Sequence, residues 1–486
     1  MLNNSIKTFN TIGPCNASDH YLLPVLSRLP IIEKMVNKKE NFIIHSPRQS
    51  GKTTFLNFLT DKINEDGQRY AINCSLANLR DITDRHDAST EIITQINAAM
   101  TSSIVEAIST KAFTYNSLPS TQDSGFKIRR TLNLLCQDLD KDLVVFFDEA
   151  DVLAGPGLIT FLAQVRDGYI YRDTTINKFP SSIALVGMRN IRDYLTSNHP
   201  EAEEQHLASP FNIVSERVTL INFTLDEIRV LYHQHTEDTG QIFEESAVER
   251  AWYWTEGQPW LVNALAREII ENQLNDDYSK IISGINIDQA AQELILRKDA
   301  HLDSLIERLK EPRIRRVMEP IITSSANMPL GLPSDDVRYV LDLGLIKKDR
   351  LNEAIYLPAN PIYEEILART LSRYIQDSLP PSLVNKWMDG TKADISGLLK
   401  SFQTYWEENA ELLLDKTGKE SDDNAFKTNE NLVVLVLFAF LQRVFNGGAF
   451  IKREYALGRL RVDILITYKD KRYPLEVKFK NTESEE

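Results

Sequence analysis

The sequence predicts an α/β protein whose largest part is a mostly parallel, doubly wound sheet. Four short apolar runs have the length and composition of buried strands, and they begin at Phe42, Tyr70, Val144 and Ser182. Amphipathic stretches of helix length, at 90–108 and 126–139, lie between them. Strands that alternate with helices in this way indicate parallel strands joined by crossover helices.

Length and composition set the class of protein. The chain of 486 residues is longer than a single domain with one hydrophobic core usually is, so about two to four domains are expected. The longest apolar run, 431–441, is shorter than the roughly 20 residues of a spanning helix, so we expect no membrane segment. The net charge of -14 restricts any nucleic-acid contact to local patches. A reducing cytoplasm is the expected compartment, because neither a disulfide framework nor a metal spacing is formed by Cys15, Cys74 and Cys136.

A small, polar turn, "HSPRQSGKTT", joins the first predicted strand to a helix. A phosphate-binding loop needs converging backbone amides, a glycine where a side chain would obstruct them, a lysine for the β and γ phosphates and a hydroxyl for magnesium. Gly51, Lys52 and Thr53 supply the last three, while Ser46 stands where a first glycine is usual. We expect ATP and Mg²⁺ as cofactors, bound by Ser46, Pro47, Arg48, Gln49, Ser50, Gly51, Lys52, Thr53 and Thr54.

An acidic pair, Asp148 and Glu149, ends the third predicted strand in "DLVVFFDEAD". The carboxyl ends of parallel strands line ligand sites in open sheets. Nucleotide hydrolysis needs a carboxylate for the magnesium shell and a group that activates water. We assign Asp148, with Thr53, to the magnesium and Glu149 to the attacking water; a solvated strand end is the alternative. Arg189, after the fourth strand, stands where a γ-phosphate sensor would lie.

Two helices are expected after residue 220. Thr224 and Glu227 have the spacing of a capping box, and "GQPWLVNALA" begins another helix. Together "HSPRQSGKTT", "FFDEAD", "GMRN" and "GQPWLVNALA" resemble the AAA-like P-loop ATPases related to the archaeal ATPase and STAND groups, over roughly residues 10–275. The resemblance implies ATP binding and hydrolysis, nucleotide contact by Gly257 and Pro259 of a helical lid, and an adenine near residues 20–24. A packing role for Pro259 and Trp260 is the alternative to direct contact. Oligomeric state stays open, because such relatives form rings or rest as monomers.

The middle of the chain is helical. "VRYVLDLGLIKKD" followed by "AIYLP" is typical of a winged helix, in which a helix leads into a short two-stranded wing. Its acidic and basic residues are mixed, which favours a structural coupling role over DNA contact. "DSLPPSLVN" has the composition of a linker. The expected order is an ATPase core, a helical lid, a winged-helix-like domain, a linker and an α/β restriction-endonuclease-like domain, at 1–220, 221–285, 286–376, 377–394 and 395–486.

The stretch "RVDILITYKDKRYPLEVKFK" near the end of the chain predicts a β-hairpin. A turn centred between Asp470 and Lys471 would place Asp463 opposite Lys478, with Glu476 on the same face. Two carboxylates and a lysine so grouped suit a divalent-metal phosphodiesterase, in which the carboxylates hold Mg²⁺ or Mn²⁺ and the lysine positions water or stabilises developing charge.

This hairpin resembles the PD-(D/E)xK nuclease superfamily. Asp463 matches the first acidic position, and Glu476-Val477-Lys478 matches the second motif. The resemblance covers about 395–486 and implies a metal-dependent nuclease in which Asp463 and Glu476 hold the metal and Lys478 takes part in catalysis. Such folds continue with a helix and strands, whereas "NTESEE" follows here. Completion by another copy or a partner protein, a shortened chain and a degenerate fold all stay open.

DNA is the expected partner of the hairpin. Residues 452–480 contain nine lysines and arginines and four acidic residues, a local excess that suits a phosphate backbone. An edge hairpin kept soluble by lysines is the alternative. The leading hypothesis is an ATP-driven or ATP-regulated nuclease, with defence against foreign DNA as an analogy. The rivals are a signalling or scaffold ATPase whose tail grips nucleic acid or protein without cutting, and a module that binds nucleotide without turnover.

Overall fold

The computed structural model describes residues 6–24, 28–80, 82, 84–100, 104–105, 126–153, 155–172, 177–187, 214–297, 307–308, 311–323, 334–376, 388–389, 392–415, 430–445, 449–457, 460–469 and 471–478. The chain divides into two compact units, Met1–Ala290 with Leu341–Gly344, and Ala291–Val340 with Leu345–Glu486. A parallel sheet forms the centre of the first unit, and the second contains a smaller antiparallel sheet.

Five strands form the sheet of the first unit: β1 (Asn41–His45), β2 (Tyr70–Ser75), β3 (Leu143–Asp148), β4 (Ser182–Gly187) and β5 (Val214–Thr219). Their order is β2-β3-β4-β1-β5, and every adjacent pair is parallel. The four predicted strands and the parallel α/β sheet are thus confirmed. Strand β5 was not predicted, because "VSERVT" lacks the continuous apolar run that marks the other strands.

The sheet is buried between helices on both faces. Val145 and Phe147 of β3 lie in the apolar core on one face, and Val144 and Phe146 lie in the core on the other. All four side chains are fully buried. Because successive side chains of a strand point to opposite faces, a strand covered on both sides needs an unbroken apolar run. This explains why the sequence of β3 is apolar up to its last residue.

Nine helices with described bounds accompany this sheet up to residue 297: α1 (Pro30–Asn37), α2 (Lys52–Asp66), α3 (Arg85–Ala98), α4 (Lys127–Asp138), α5 (Gly155–Ile170), α6 (Leu225–Thr239), α7 (Glu245–Thr255), α8 (Pro259–Arg267) and α9 (Gly284–Arg297). Helix α4 agrees with the prediction over 126–139. Helix α3 begins before the predicted residue 90, because the side chain of Asp84 accepts hydrogen bonds from the backbone N–H groups of His86 and Asp87. It ends at Ala98, and much of the predicted remainder lies outside the described residues.

Helices α6, α7 and α8 form what we call the lid. The predicted capping box of α6 is confirmed: Glu227 N donates to Thr224 Oγ1 at 3.2 Å, and Thr224 N donates to Glu227 Oε2 at 2.7 Å. The helix expected in "GQPWLVNALA" is α8, and the side chain of Gln258 caps it by accepting from Leu261 N at 2.6 Å. Local capping chemistry therefore determines where both helices begin.

The described residues after 297 contain five further helices: α10 (Pro312–Thr323), α11 (Ser334–Asp342), α12 (Pro361–Gln376), α13 (Ile395–Asp415) and α14 (Glu430–Phe445). The strands are β6 (Ile346–Lys348), β7 (Tyr356–Pro358), β8 (Met388–Asp389), β9 (Lys392–Ala393), β10 (Phe450–Leu457), β11 (Leu460–Tyr468) and β12 (Lys471–Leu475). Strands β6 and β7 are antiparallel and follow α11, so the expected helix and two-stranded wing are both present. Strands β8 and β9 pair within the stretch expected as a linker.

Helix α14 explains the longest apolar run of the sequence. It packs against α12 and against strands β10 and β11, and Phe438, Phe440 and Leu441 are fully buried. Its apolar surface is therefore covered by protein. Across the part of the chain that the structure describes, no helix has both the length and the apolar character needed to cross a bilayer.

The terminal hairpin is present, but its predicted register is wrong. Tyr468 pairs with Lys471 and Leu465 with Pro474, so Asp463 does not lie opposite Lys478. Lys469, which follows Tyr468, takes the positive φ of 52° that tight hairpin turns favour. Alternation of apolar side chains does not distinguish the two registers, because a shift of two residues keeps every side chain on its face.

Candidate nucleotide-binding site

The polar turn between β1 and α2 forms a loop at the carboxyl end of the sheet. Gly51 is the residue that caps α2, and its φ of +91° lies in the region that favours glycine. No described atom lies within 4 Å of a β-carbon added there, so the backbone conformation is what requires glycine at this position. Gln49 also has a positive φ, 59°. The loop thus leads into the amino-terminal end of α2, where free N–H groups favour anions.

Ser46 occupies the position where a first glycine was expected. Its hydroxyl is buried, donates to the carbonyl oxygen of Leu220 at 3.0 Å and lies 2.5 Å from Ser50 Oγ. Its backbone N–H donates to Gly187 O at 3.2 Å. The serine side chain is therefore used to anchor the loop to the chain that follows β5.

Lys52 points back over the loop. Its Nζ donates to Ser46 O at 2.7 Å and to Pro47 O at 2.6 Å. Burial lowers the pKa of Lys52 to about 8, against the opposing effect of the Asp151 and Asp148 carboxylates. A buried ammonium that is only partly compensated attracts an anion such as a phosphate.

Asp148 meets Thr53 across the loop. Thr53 Oγ1 donates to Asp148 Oδ2 at 2.7 Å, and Glu149 N donates to Asp148 Oδ1 at 2.9 Å. Burial, which leaves 3% of Asp148 exposed, raises the pKa of its carboxyl, while these two hydrogen bonds oppose the rise. A hydroxyl and a carboxylate at this distance are hard oxygen donors of the kind that Mg²⁺ prefers. The residues assigned to magnesium are therefore brought together.

Glu149 follows Asp148 in a strained backbone conformation. Its φ is +56° although it carries a side chain. Burial raises the pKa of Glu149, and the neighbouring carboxylates of Asp148 and Asp151 raise it further. Strained residues of this kind concentrate at functional sites, where the surrounding structure holds them in place.

Asp151 was not singled out from the sequence, although it belongs to the same acidic stretch. It is 8% exposed and is the carboxylate with the largest charge effect on Lys52. A β-carbon added to Gly187, the last residue of β4, would lie 2.7 Å from Asp151 Oδ1. The end of β4 must therefore remain small for Asp151 to pack there. Asp151 could have been identified from the sequence as a third carboxylate, two residues after Glu149.

An apolar pocket lies beside the loop. The loop and α2 contribute Gly51 and Thr54, and the lid contributes Leu231, Pro259 and Asn263. Residues 21–23 form another part of the wall, so most of the segment expected near an adenine lies within reach of the loop. The lining of the pocket is mostly apolar, with few polar groups.

Gly257 has a packing role in this structure. Its φ is +73°, and a β-carbon there would lie 1.8 Å from the backbone oxygen of Phe223. Phe223 N donates to Gly257 O at 2.7 Å, so two backbones lie in direct contact. Nucleotide contact by Gly257 and Pro259 stays a prediction. Gln258, between them, was missed: besides capping α8, its Nε2 donates to Gln49 O at 3.4 Å.

The segment of residues 6–24, which we call the N-terminal segment, connects the loop to the lid. Cys15 N donates to Thr54 Oγ1 at 3.0 Å on α2. On the lid side, Trp260 Nε1 donates to Thr11 O at 2.9 Å, and the Gln234 side chain pairs with both backbone groups of Leu22. The pocket is thus bounded by three parts of the first unit that are joined by hydrogen bonds.

Arg189, expected as a γ-phosphate sensor, lies outside the described residues. The three predicted residues of the terminal hairpin are only partly brought together. Val477 N donates to Asp463 Oδ2 at 2.6 Å, whereas the exposed Glu476 and Lys478 side chains pair with each other at 3.2 Å. Among the described residues no group of three or more His, Cys, Asp or Glu side chains can hold a metal. Metal binding by Asp463 and Glu476 stays a prediction.

Comparison with known proteins gives structural neighbours only. No protein-family model matches the chain, and no curated protein matches it. The Walker-type ATPase paby2304 of Pyrococcus abyssi aligns with a TM-score of 0.49 at 17% identity, over 74% of this chain and 99% of its own. The Aeropyrum pernix ORC2 protein, solved in ADPNP-ADP complexes, gives 0.40 and 13%, over 72% and 93%. The Thermotoga maritima RuvB Holliday junction branch migration motor gives 0.36 and 14%, over 70% and 93%.

Proposed function

We propose that the first unit binds ATP with Mg²⁺ and hydrolyses it. The observation that carries the proposal is the contact between Thr53 and Asp148, which joins the loop before α2 to the acidic end of β3. Phosphate-binding loops use this pair of groups for magnesium, and Lys52 lies in the same site. A nucleoside triphosphate is the substrate class because the apolar pocket adjoins the loop on the side of Gly51 and Thr54, and ATP is the one that the resemblance to AAA-like ATPases implies.

Each residue has a separate task in this proposal. The loop from Ser46 to Thr54 surrounds the phosphates, with backbone N–H groups available from Arg48 onward, and Lys52 pairs with their charge. Thr53 and Asp148 hold the Mg²⁺, which neutralises phosphate charge when bound. Glu149 accepts a proton from the attacking water, a task helped by the raised pKa of its carboxyl. Arg189 senses the γ-phosphate, and Gly257 and Pro259 bring the lid to the nucleotide.

The test is ATP turnover and ATP binding in matched variants. Lys52→Ala should abolish both, whereas Glu149→Gln should keep binding and lose turnover, because it removes only the proton acceptor. Lys62→Ala is the control, since Lys62 lies on the same helix but is exposed and pairs with Glu33. Undiminished hydrolysis in Lys52→Ala would refute the assignment.

The terminal hairpin supports a second proposal, that it contacts DNA. Lys469, Lys471 and Arg472 have exposed side chains at its loop, and the exposed Lys478 follows the end of β12. Exposed cations suit contact with a phosphate backbone. In its stronger form the proposal is metal-dependent cutting by Asp463, Glu476 and Lys478, regulated by the ATPase unit and used against foreign DNA. In its weaker form the tail grips DNA or a partner protein without cutting.

Incubation with linear, circular and single-stranded DNA distinguishes the two forms. The reactions contain Mg²⁺ or Mn²⁺, with and without ATP, and compare the parent with Asp463→Ala. Cleavage that the substitution removes supports the nuclease form and shows whether ATP drives or restrains it. Absence of cleavage beside normal ATP turnover supports the weaker form, whose DNA contact should then decrease as salt increases.

A further inference from the structure

Asn263 is a buried amide that has no assigned task in the fold. It lies on α8, one turn after Pro259, and is 8% exposed. Its Oδ1 is buried and accepts no hydrogen bond from any described residue. An acceptor buried without a partner is costly to a fold, and most buried amides are paired. The unpaired Asn263 Oδ1 therefore costs the fold stability.

The surroundings of Asn263 point to a ligand. Its side chain lines the apolar pocket, together with Leu22, Phe223 and Leu231. These neighbours offer apolar side chains, and the phosphate-binding loop lies on the other side of the pocket. A molecule that fills the pocket while its phosphates occupy the loop would place its nucleoside half against Asn263.

Gln258 is the other lid amide near the loop, and its side chain differs from that of Asn263 because it makes hydrogen bonds within the fold. Gln258 Oε1 accepts from Leu261 N, and its Nε2 donates to Gln49 O. Both ends of that side chain serve the fold. Asn263 lies one helical turn further along the same helix and uses its oxygen for no such contact.

We infer that Asn263 recognises the nucleoside half of the bound nucleotide, with its Oδ1 accepting a hydrogen bond from that half. The donor is the exocyclic amine of the base or the 2′-hydroxyl of the ribose. Asn263 is then a specificity-determining residue of the site, and this role rests on the proposed ATP binding. A side-chain amide suits the task, because it presents an acceptor beside a donor in one plane.

The test measures the dissociation constants of three ligands: ATP, purine riboside triphosphate, which lacks the amine, and 2′-deoxy-ATP. The proteins are the parent, Asn263→Leu and the control Asn272→Leu, whose amide lies outside the pocket and donates to Glu268. In the parent and the control, one analogue should bind roughly tenfold more weakly than ATP, because the buried acceptor stays unpaired. In Asn263→Leu the three ligands should bind alike. The weaker analogue identifies the donor.

Two outcomes would overturn the inference while the proposed function stands. The parent binds all three ligands equally, or Asn263→Leu keeps the parent's preference, although ATP binding still depends on Lys52. If the parent binds no nucleotide, both the inference and the proposed function are wrong.

A stability measurement separates recognition from a structural role. Without nucleotide, Asn263→Leu should melt at the same temperature as the parent or higher, because the substitution removes an unpaired buried acceptor. With saturating ATP, the rise in melting temperature should be smaller for Asn263→Leu than for the parent. A lower melting temperature without nucleotide would mean that the amide supports the lid, and the inference would be wrong.

Discussion

Thr53 Oγ1 donates a hydrogen bond of 2.7 Å to Asp148 Oδ2, so the first turn of α2 and the end of β3 share one polar contact. Strand β4 lies between β3 and β1 in the sheet, and the contact therefore reaches across a strand. Two hard oxygen donors come from parts of the chain 95 residues apart. The two oxygen donors therefore belong to separate sequence motifs.

Thr53→Val tests whether this contact serves magnesium. Valine keeps the branched shape and removes the hydroxyl, so ATP affinity with Mg²⁺ should decrease roughly tenfold while affinity without Mg²⁺ changes little. Titration calorimetry with and without the metal measures both values. Thr60→Val on the same helix is the matched control, because the Thr60 hydroxyl is buried without a described partner. Equal losses with and without Mg²⁺ would contradict the metal assignment.

ATP affinity should decrease as the pH rises above about 8. Burial lowers the pKa of Lys52 to about 8, and bound phosphate favours the protonated amine and so raises that pKa. Below this pH Lys52 is already charged before ATP binds, so its titration should not make the ATP affinity depend on pH. Above it, binding takes up a proton, and affinity decreases by up to about tenfold per pH unit. Calorimetry from pH 7 to 9.5 in two buffers measures the uptake; affinity constant over that range would refute the prediction.

The lid should lose stability as the pH falls below about 6.5. His235 is buried on α6, with Tyr21 and Gln241 at its ring nitrogens and the Asp238 charge nearby, and burial lowers its pKa from 6.5. Below pH 6.5 the His235 imidazole takes up a proton in the unfolded lid but not in the folded lid. The free energy of unfolding of the lid therefore decreases below pH 6.5, by up to about 1.4 kcal/mol per pH unit. Hydrogen exchange of the backbone amides of α6 between pH 7 and 5 measures this loss of stability.

The controls for this pH effect are two phenylalanine variants. His235→Phe should show a weaker dependence on pH, because it has no group to protonate. His233→Phe, at an exposed position of the same helix, should behave as the parent. The same slope in all three proteins would show that another group controls the lid.

Gly257→Ala should destabilise the lid far more than Gly240→Ala. Both glycines have φ above +70°, so each substitution incurs the strain of a left-handed residue, about 1–2 kcal/mol. Gly240 has open space around it, whereas the added carbon at Gly257 would lie 1.8 Å from Phe223 O. Denaturant unfolding compares them; similar losses would mean that the backbones separate at little cost.

Most of the site could be predicted because short motifs specify it. The loop sequence and the acidic pair after an apolar strand are motifs of a few residues that predict phosphate and magnesium binding. The structure brings Thr53 to Asp148 as expected. The apolar run of β3 predicts burial on both faces in the same way. These features depend on local sequence and on the alternation of strand side chains.

Features that depend on distant contacts could not be predicted. The packing reason for Gly257 is the backbone of Phe223, and the contact of Gln258 is on the loop, more than 200 residues earlier in the chain. The hairpin register depended on which two residues form the turn, a choice that the apolar pattern leaves open. Strand β5 lies at an edge, where burial demands less of the sequence.

The N-terminal segment has a consequence for the making of the protein. Its hydrogen-bond partners Gln234 and Trp260 lie 212 and 249 residues away from the residues that they hold. At a synthesis rate of about 5–20 residues per second, the ribosome needs roughly 10 to 50 seconds to reach them. During that time the N-terminal segment has none of these partners to bind. We therefore expect the nascent chain to form the apolar pocket only after the lid has left the ribosome.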